Sequence, residues 1–193
     1  MNSRIWIWVG LGLIALFIVS GINTIPALEE KVNASWAQVE NNYQRRMDLI
    51  PNLVETVKGS ASFEQKTLTD VINARSNATK VTLNAENLSD PEAVKNFELA
   101  QGKLSYALSR LLVSVEKYPD LKANNNFIAL QSQLEGTENR IAISRRDYIE
   151  TIQEYNTKVR TFPGSIWAMI HGAKPKQSFV ATEGASNPPA VKF

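Results

Sequence analysis

The sequence predicts an all-α protein: an antiparallel up-and-down four-helix bundle preceded by one transmembrane helix. Three observations carry this expectation. The stretch from Ile5 to Leu28 is uncharged and strongly apolar. Beyond Pro26, apolar and aromatic residues recur at alternating steps of three and four, the repeat of bundle and coiled-coil helices. No window of comparable length alternates with the period of two that a half-buried strand requires.

The apolar stretch is densest from Ile5 to Val19 and extends through Ser20, Gly21 and Ile22. About 20 residues cross a ~30 Å hydrocarbon core at ~1.5 Å per residue. Residues 5–25 are therefore read as a transmembrane helix behind a flank of residues 1–4. Trp6 and Trp8 lie where interfacial aromatics sit. Leu11, Leu13, Ile14, Leu16, Phe17 and Ile18 supply the lipid-facing surface. A cleaved signal peptide is the competing reading, with Val19-Ser20-Gly21 as its cleavage site. The length of the apolar run, and a leading region with only Arg4, favour an uncleaved anchor. Arg4 on one side, against Lys31 behind Glu29 and Glu30 on the other, places the N-terminus in the cytoplasm and the helical domain outside.

The bundle is expected over residues 26–163. Its first series is Val32, Trp36, Val39, Tyr43, Arg46, Ile50, Leu53 and Val57. The second is Ala61, Glu64, Leu68, Val71, Arg75 and Ala78. The third runs Val94, Phe97, Gln101, Leu104, Leu108, Leu111, Val115 and Tyr118. The fourth runs from Phe127 through Leu130, Leu134, Thr137, Ile141, Ser144, Tyr148, Thr151, Tyr155 and Lys158 to Phe162. Ser89 and Glu92, at capping-box spacing around Pro91, start the third helix, and Pro119 ends it. Asn124, Asn125 and Asn126 offer N-caps for the fourth, which Pro163-Gly164 closes. Lys58-Gly59 followed by Ser60 and Ser62 reads as a C-cap and then an N-cap. A break there gives helices of about 32, 25, 28 and 39 residues, matched for a four-helix bundle. The alternative is three long helices with a continuous first helix, since the repeat runs unbroken from Val57 to Ala61. Pro51 is read as a kink, because it offers no N–H and crowds the Met47 carbonyl. Residues 164–193 form a short apolar segment and a flexible tail rich in Ser, Ala, Gly and Pro from Gln177 onward.

The totals narrow the chemistry. A chain with 44% hydrophobic and 21% charged residues has enough apolar side chain for a core. Its 21 basic and 19 acidic residues are too balanced to predict nucleic-acid binding. With no cysteine there is no disulfide framework, thiolate nucleophile, cysteine zinc site or lipid-bearing cysteine. His171 is the sole histidine, so neither a hydrolytic triad nor a histidine metal cluster can be assembled. No catalytic residue, metal ligand or cofactor is expected.

Several motifs still have two readings. Arg46, Glu64 and Arg75 fall on seam positions, where an unpaired charge is costly. They form a polar interior site, or they control register through paired polar residues. Arg45, Asp48, Pro51 and Asn52 mark either a docking site at a kinked helix or merely the kink. Glu135, Glu138 and Asn139 lie on a polar stretch of the fourth helix that is either a partner-binding surface or a solvated face. A di-iron bundle needs Glu-x-x-His, and Glu138 is followed three residues on by Ile141. Ile166, Trp167, Met169 and Ile170 lie in the lipid interface with Lys174 and Lys176 on headgroups, or Trp167 caps the bundle core. The closing Pro189-Ala190-Val191-Lys192-Phe193 either adds to a partner's sheet edge or is a plain end.

The run Arg45-Arg46-Met47-Asp48-Leu49-Ile50-Pro51-Asn52-Leu53-Val54, preceded by Trp36-Ala37-Gln38-Val39-Glu40, resembles the signature of the LemA family. The resemblance continues at Ala74-Arg75, Glu116-Lys117-Tyr118-Pro119, Leu134-Glu135-Gly136-Thr137-Glu138-Asn139-Arg140-Ile141, Tyr155-Asn156, Phe162-Pro163 and Pro189-x-Val191-x-Phe193. Departures occur at Gly21-Ile22-Asn23-Thr24, where members often carry Tyr-Asn, and at Tyr148-Ile149. The resemblance implies a bacterial, membrane-anchored helical bundle with no established enzymatic activity, held in the cytoplasmic membrane by a single pass. The expected role is an adaptor, scaffold or self-assembling protein, whose partners are the bilayer, further copies of the chain or another envelope protein. A ligand-binding or enzymatic bundle built on Arg46, Glu64 and Arg75 is one alternative, and a component of a transmembrane sensing complex is another.

Overall fold

The computed structural model describes residues 3–59 and 63–179. Helix α1 covers Ser3–Ile22, and apolar residues go all round it. Trp6, Trp8, Leu11, Leu13, Leu16, Phe17 and Ile18 are all exposed; the side chain of Ile14 lies outside the described residues. Twenty residues at ~1.5 Å each make a ~30 Å rod. Only Asn23 separates α1 from α2 (Thr24–Lys58), and its φ of −91° and ψ of −3° keep the helical course. The Ala27 N–H donates to the Asn23 carbonyl across this join. Membrane-length helix and bundle therefore meet without a linker.

The stripe Val32, Trp36, Val39, Tyr43, Arg46, Ile50, Leu53 and Val57 is buried in full along α2. The helix stops at Lys58, and the Gly59 N–H closes its last turn on the Glu55 carbonyl. The next helix, α3, is Gln65–Lys80, so the chain breaks at Gly59 and the continuous first helix does not form. Ser60, Ala61 and Ser62, including the expected N-caps, lie outside the described residues. Helix α3 has 16 residues instead of the expected ~25. Val81 to Asn84 leave the helical course, and a 3-10 turn covers Ala85–Ser89. β-branched Val81 and Thr82, followed by Asn84, are weak helix formers. The break lets Leu83 and Leu88 enter the core and turns the Leu83 carbonyl to the Trp36 indole N–H at 3.0 Å.

Helix α4 is Pro91–Val115, and its N-cap is Asp90 rather than Ser89: an Asp90 carboxylate oxygen accepts from the Glu92 N–H at 2.9 Å. The short α5, Pro119–Lys122, leads to α6, Asn125–Arg160, which Asn124 caps through the Asn126 and Phe127 N–H groups. Helix α7, Gly164–His171, ends on Gly172, whose φ of 63° supplies a left-handed turn that a side chain would strain. Pairings set the directions. Lys31–Glu154, Asn42–Ser144 and Arg46–Glu138 run α2 against α6. Asp70–Arg110 runs α3 against α4, and Tyr43–Phe97 with Arg46–Ser105 aligns α2 with α4. Among the described residues there is no strand.

The core has two apolar clusters stacked along the bundle. One, next to α1, holds Ile25, Leu28, Trp36, Phe97, Tyr148 and Trp167. The other holds Met47, Ile50, Leu53, Leu68, Leu104 and Leu134. The residues after Gly172 are not all tail. Asn156 holds both backbone groups of Lys176, the Gln177 N–H donates to the Leu88 carbonyl at 2.7 Å, and Phe179 is buried on Trp36 and Tyr148. The expected flexible segment from Gln177 is thus corrected up to Phe179: a large aromatic at the end of a polar stretch finds an aromatic pocket. Residues 180–193, with Pro189 to Phe193, lie outside the described residues.

Burial pushes the Tyr155 phenol up to about 12, with the Glu29 charge adding to it, and raises the Tyr148 phenol for the same first reason. An unfolded phenol ionises near ~10. Both raised groups therefore contribute stability that is whole below about pH 10 and is lost as pH climbs through their folded values. Urea midpoints should hold from pH 7 to 9 and fall above pH 10, with a shallower fall in Tyr155→Phe; an identical fall in that variant would exclude Tyr155 as a source.

Candidate functional site

The residues between the two apolar clusters form a polar layer centred on Arg46. Its side chain is 1% exposed. The guanidinium donates to Ser105 Oγ at 2.8 Å, to Glu138 Oε1 at 2.8 Å and to Gln101 Oε1, and it lies 5.0 Å from the Tyr43 ring centre. Glu138 is 45% exposed, so it meets the buried cation from the solvent side. Thr137 and Ser144 are buried nearby on α6, each bonded to a carbonyl of its own helix. Toward α1, Arg145 pairs with Glu98 at 2.9 Å, donates to Tyr43 Oη at 3.1 Å and stacks over the Phe179 ring.

Of the three expected interior charges, only Arg46 belongs to this layer. Glu64 is exposed and stands at the N-terminal boundary of α3, where it accepts from Thr67 Oγ1 at 3.3 Å. The chain break behind Gly59 puts it outside any seam. Arg75 is half-buried and goes elsewhere: its Nε donates to the Met47 carbonyl at 3.0 Å. The interior site of Arg46, Glu64 and Arg75 is not formed. Arg45, Asp48, Pro51, Asn52, Glu135 and Asn139 all sit on exposed faces. Asp48 accepts from Gln44 and Glu135 from Gln131, each one turn away.

The Arg75 contact has a covalent cause. Proline at 51 has no N–H to return to the carbonyl four residues back, so Met47 is left with a free acceptor, and Arg75 from α3 fills it. The same logic recurs at the join. Pro26 leaves the Ile22 carbonyl without a helical donor, and His171 Nε2 lies 2.7 Å from it, a contact that requires the ring to donate. Each proline thus creates a docking point for a basic side chain of another helix. Arg75→Ala should cost about 1–2 kcal/mol, the usual penalty of an orphaned buried acceptor. In a Pro51→Ala background, where the substituted residue supplies the missing N–H, the same change should cost less than half of that. Equal costs in both backgrounds, measured by urea unfolding, would refute the pairing.

The membrane-interface candidates divide. Trp167 is buried: its ring is 5.6 Å from Phe17 and lies directly over Gly21, where a β-carbon would collide with the indole. It takes the core-capping place. Ile166, Met169 and Ile170 are exposed around it. Lys176 is not available to headgroups; it is buried and paired with Glu29 at 2.9 Å, while Lys174 is exposed. Sequence reasoning missed Gln101, Ser105 and Glu138 as partners of Arg46. Gln101, on the third series, was the visible signal, being a polar residue at a seam position.

These features define a class: an all-helical bundle joined without a linker to one helix long and apolar enough to cross a membrane. The sequence pattern of the LemA family matches residues 35–193, and the chain belongs to that family. Similar proteins include magnetosome protein MamQ 2 of Paramagnetospirillum magneticum, 25% identical over 182 residues, which cover 86% of this chain and 67% of the relative. Magnetosome protein MamQ of Magnetospirillum gryphiswaldense is 25% identical over 81% of this chain and 64% of its own length. Protein LemA of Metamycoplasma hominis is 20% identical over 79% of this chain and 65% of its own length. The chain spans about two thirds of the length of each relative.

Proposed function

We propose that this protein is a non-enzymatic, membrane-anchored adaptor or scaffold, crossing the bacterial cytoplasmic membrane once through α1 and holding its bundle on the outer side. The observation that supports this reading is the buttressed join. Helix α1 passes into α2 through Asn23 alone, and α7 braces the junction through Trp167 and His171. A rigid mount fixes where the bundle's faces point relative to the bilayer, which serves assembly with neighbours held in the same plane. Tethering also raises effective concentration, so weak helix contacts suffice. The relatives' names denote a body or a family and no reaction, which fits a role in assembly. Photo-crosslinkers placed at exposed Val113 and Ile128 in native membranes test it. Discrete adducts with a further copy or with one envelope protein are expected. Uncrosslinked chain alone at every position would overturn the scaffold reading, and a C-terminal reporter active only in the cytoplasm would overturn the topology.

A further inference from the structure

Helix α7 has two apolar faces, and the bundle uses one. Gly164, Trp167 and Ala168 turn inward and are buried, and the helix packs against α1, α2 and α6. Ile166, Met169 and Ile170 lie on the opposite face and are exposed, and Phe162, just ahead of the helix, is 78% exposed. We propose that this outer face is sunk in the acyl–headgroup boundary of the bilayer, in the leaflet where α1 ends. The base of the bundle then sits within the membrane surface, and α7 is a second lipid contact. This inference rests on the reading that α1 crosses the membrane.

The length of α1 requires it. Trp167 packs on Phe17 and lies over Gly21, and His171 reaches the Ile22 carbonyl. Residues 5–16, which follow Arg4 and precede this packing, measure only about 18 Å at ~1.5 Å each. That falls far short of a ~30 Å hydrocarbon core. Residues 5–22 measure about 27 Å and nearly fill it. The stretch that α7 flanks is therefore part of the span, and α7 enters the bilayer beside it. A bundle standing clear of lipid would have to thin the bilayer around α1 by about 12 Å. With Ile22 at the boundary, Phe17 lies about 8 Å deeper, within the ~5–10 Å to which interfacial helices sink.

Composition agrees with this placement. From residue 155 to residue 179 the chain carries no Asp or Glu. Lys158 and Arg160 before the apolar run, and Lys174 after it, are exposed. Basic side chains so placed meet headgroup phosphates while their apolar neighbours sit below. The outer face of α7 also adjoins α1, whose Leu16 and Ile18 are exposed. That continuity with a membrane-length helix singles out the bilayer, and not a second copy of the chain, as the occupant of the face.

Because the sequence contains no cysteine, single cysteines carry a nitroxide label to chosen depths. Met169→Cys and Ile170→Cys test the face, with Leu13→Cys on α1 and Ile72→Cys on the exposed side of α3 as references. The full-length protein is reconstituted in bilayers of phosphatidylethanolamine and phosphatidylglycerol. Collisions with oxygen, which concentrates among acyl chains, are compared with collisions with a water-soluble nickel chelate. The oxygen-to-nickel ratio at residues 169 and 170 should exceed that at residue 72 by at least ~5-fold and stay below that at residue 13, as burial in the acyl–headgroup boundary requires. A water-like ratio at 169 and 170 beside a lipid-like ratio at 13 would overturn the seating of α7 and leave the anchor standing. Water-like ratios at all of these positions would remove the anchor as well. Slow collisions with both reagents at 169 and 170 would overturn the lipid contact in favour of a face covered by a second copy.

Discussion

Arg46→Ala should destabilise the bundle by about 3 kcal/mol, the scale expected when a buried, hydrogen-bonded charge is removed and its partners and volume are left unfilled. Alanine removes the donor to Gln101, which is 4% exposed and would keep its amide oxygen inside the core without a partner. Glu138, at 45% exposed, can turn to water, so Glu138→Gln should cost only about 1 kcal/mol. The informative variant is the double change Arg46→Met with Gln101→Leu. Apolar replacement of a buried ionic group is often neutral or stabilising, so this pair should recover most of the loss. Urea unfolding of the full-length protein in detergent, followed by helicity, gives all three values. An alanine variant within 1 kcal/mol of the parent would sink the argument, as would a double variant as weak as the single.

If the double variant is stable, the layer's purpose is register and not strength. Along α2, α4 and α6 the seam repeats every seven residues, and a heptad slip exchanges one apolar residue for another at little cost. Arg46 breaks that degeneracy. It is bonded to α4 through Gln101 and Ser105 and to α6 through Glu138; sliding α4 by one heptad puts Val94 or Leu108 in the place of Gln101, and sliding α6 puts Gln131 or Arg145 in the place of Glu138, so either slip costs the guanidinium its carboxylate or its buried acceptor. Tyr43, which lies against Arg46 and accepts from Arg145, links this layer to the Arg145–Glu98 pair.

How much of this was legible in the sequence follows from the kind of interaction involved. The α2 stripe was readable residue by residue, because burial of a heptad face depends only on periodicity. The break at Gly59 was readable from capping residues and from helix lengths together. The end of α3 was not: Ala78 continues the repeat, and the departure at Val81 depends on Leu83 and Leu88 filling a gap that only the assembled core defines. Pro51 announced that a carbonyl would be left free, Pro26 reads only as the start of the bundle, and neither proline says which donors come to the two carbonyls. Arg75 and His171 reach them from other helices, 28 and 149 residues away in sequence, and no local pattern encodes that distance. Glu64 shows the converse error, since a residue in phase with the seam fell outside it once the chain turned.

Trp167→Ala should lower stability by about 3–5 kcal/mol, the usual cost of truncating a large buried aromatic, and the melting temperature by about 10 °C. The indole fills the angle between α1, α2 and α7, and Gly21 is the position that admits it: with any β-carbon there, the ring must leave. Gly21→Leu should therefore reproduce much of the Trp167→Ala defect without touching the indole's own chemistry. Both changes free the brace while leaving Asn23 and the α1–α2 backbone as they are, so the anchor should gain angular freedom relative to the bundle. Spin labels at Ile7 on α1 and Glu150 on α6 read this directly. The parent protein should give one narrow distance distribution, and both variants a broad one. Unchanged widths together with an unchanged melting temperature would mean that the anchor's direction is set by helix continuity through Asn23 alone. A broadened distribution would locate the stiffness of the mount in the packing of one indole against one glycine, which is the property an oriented scaffold needs and a flexible tether lacks.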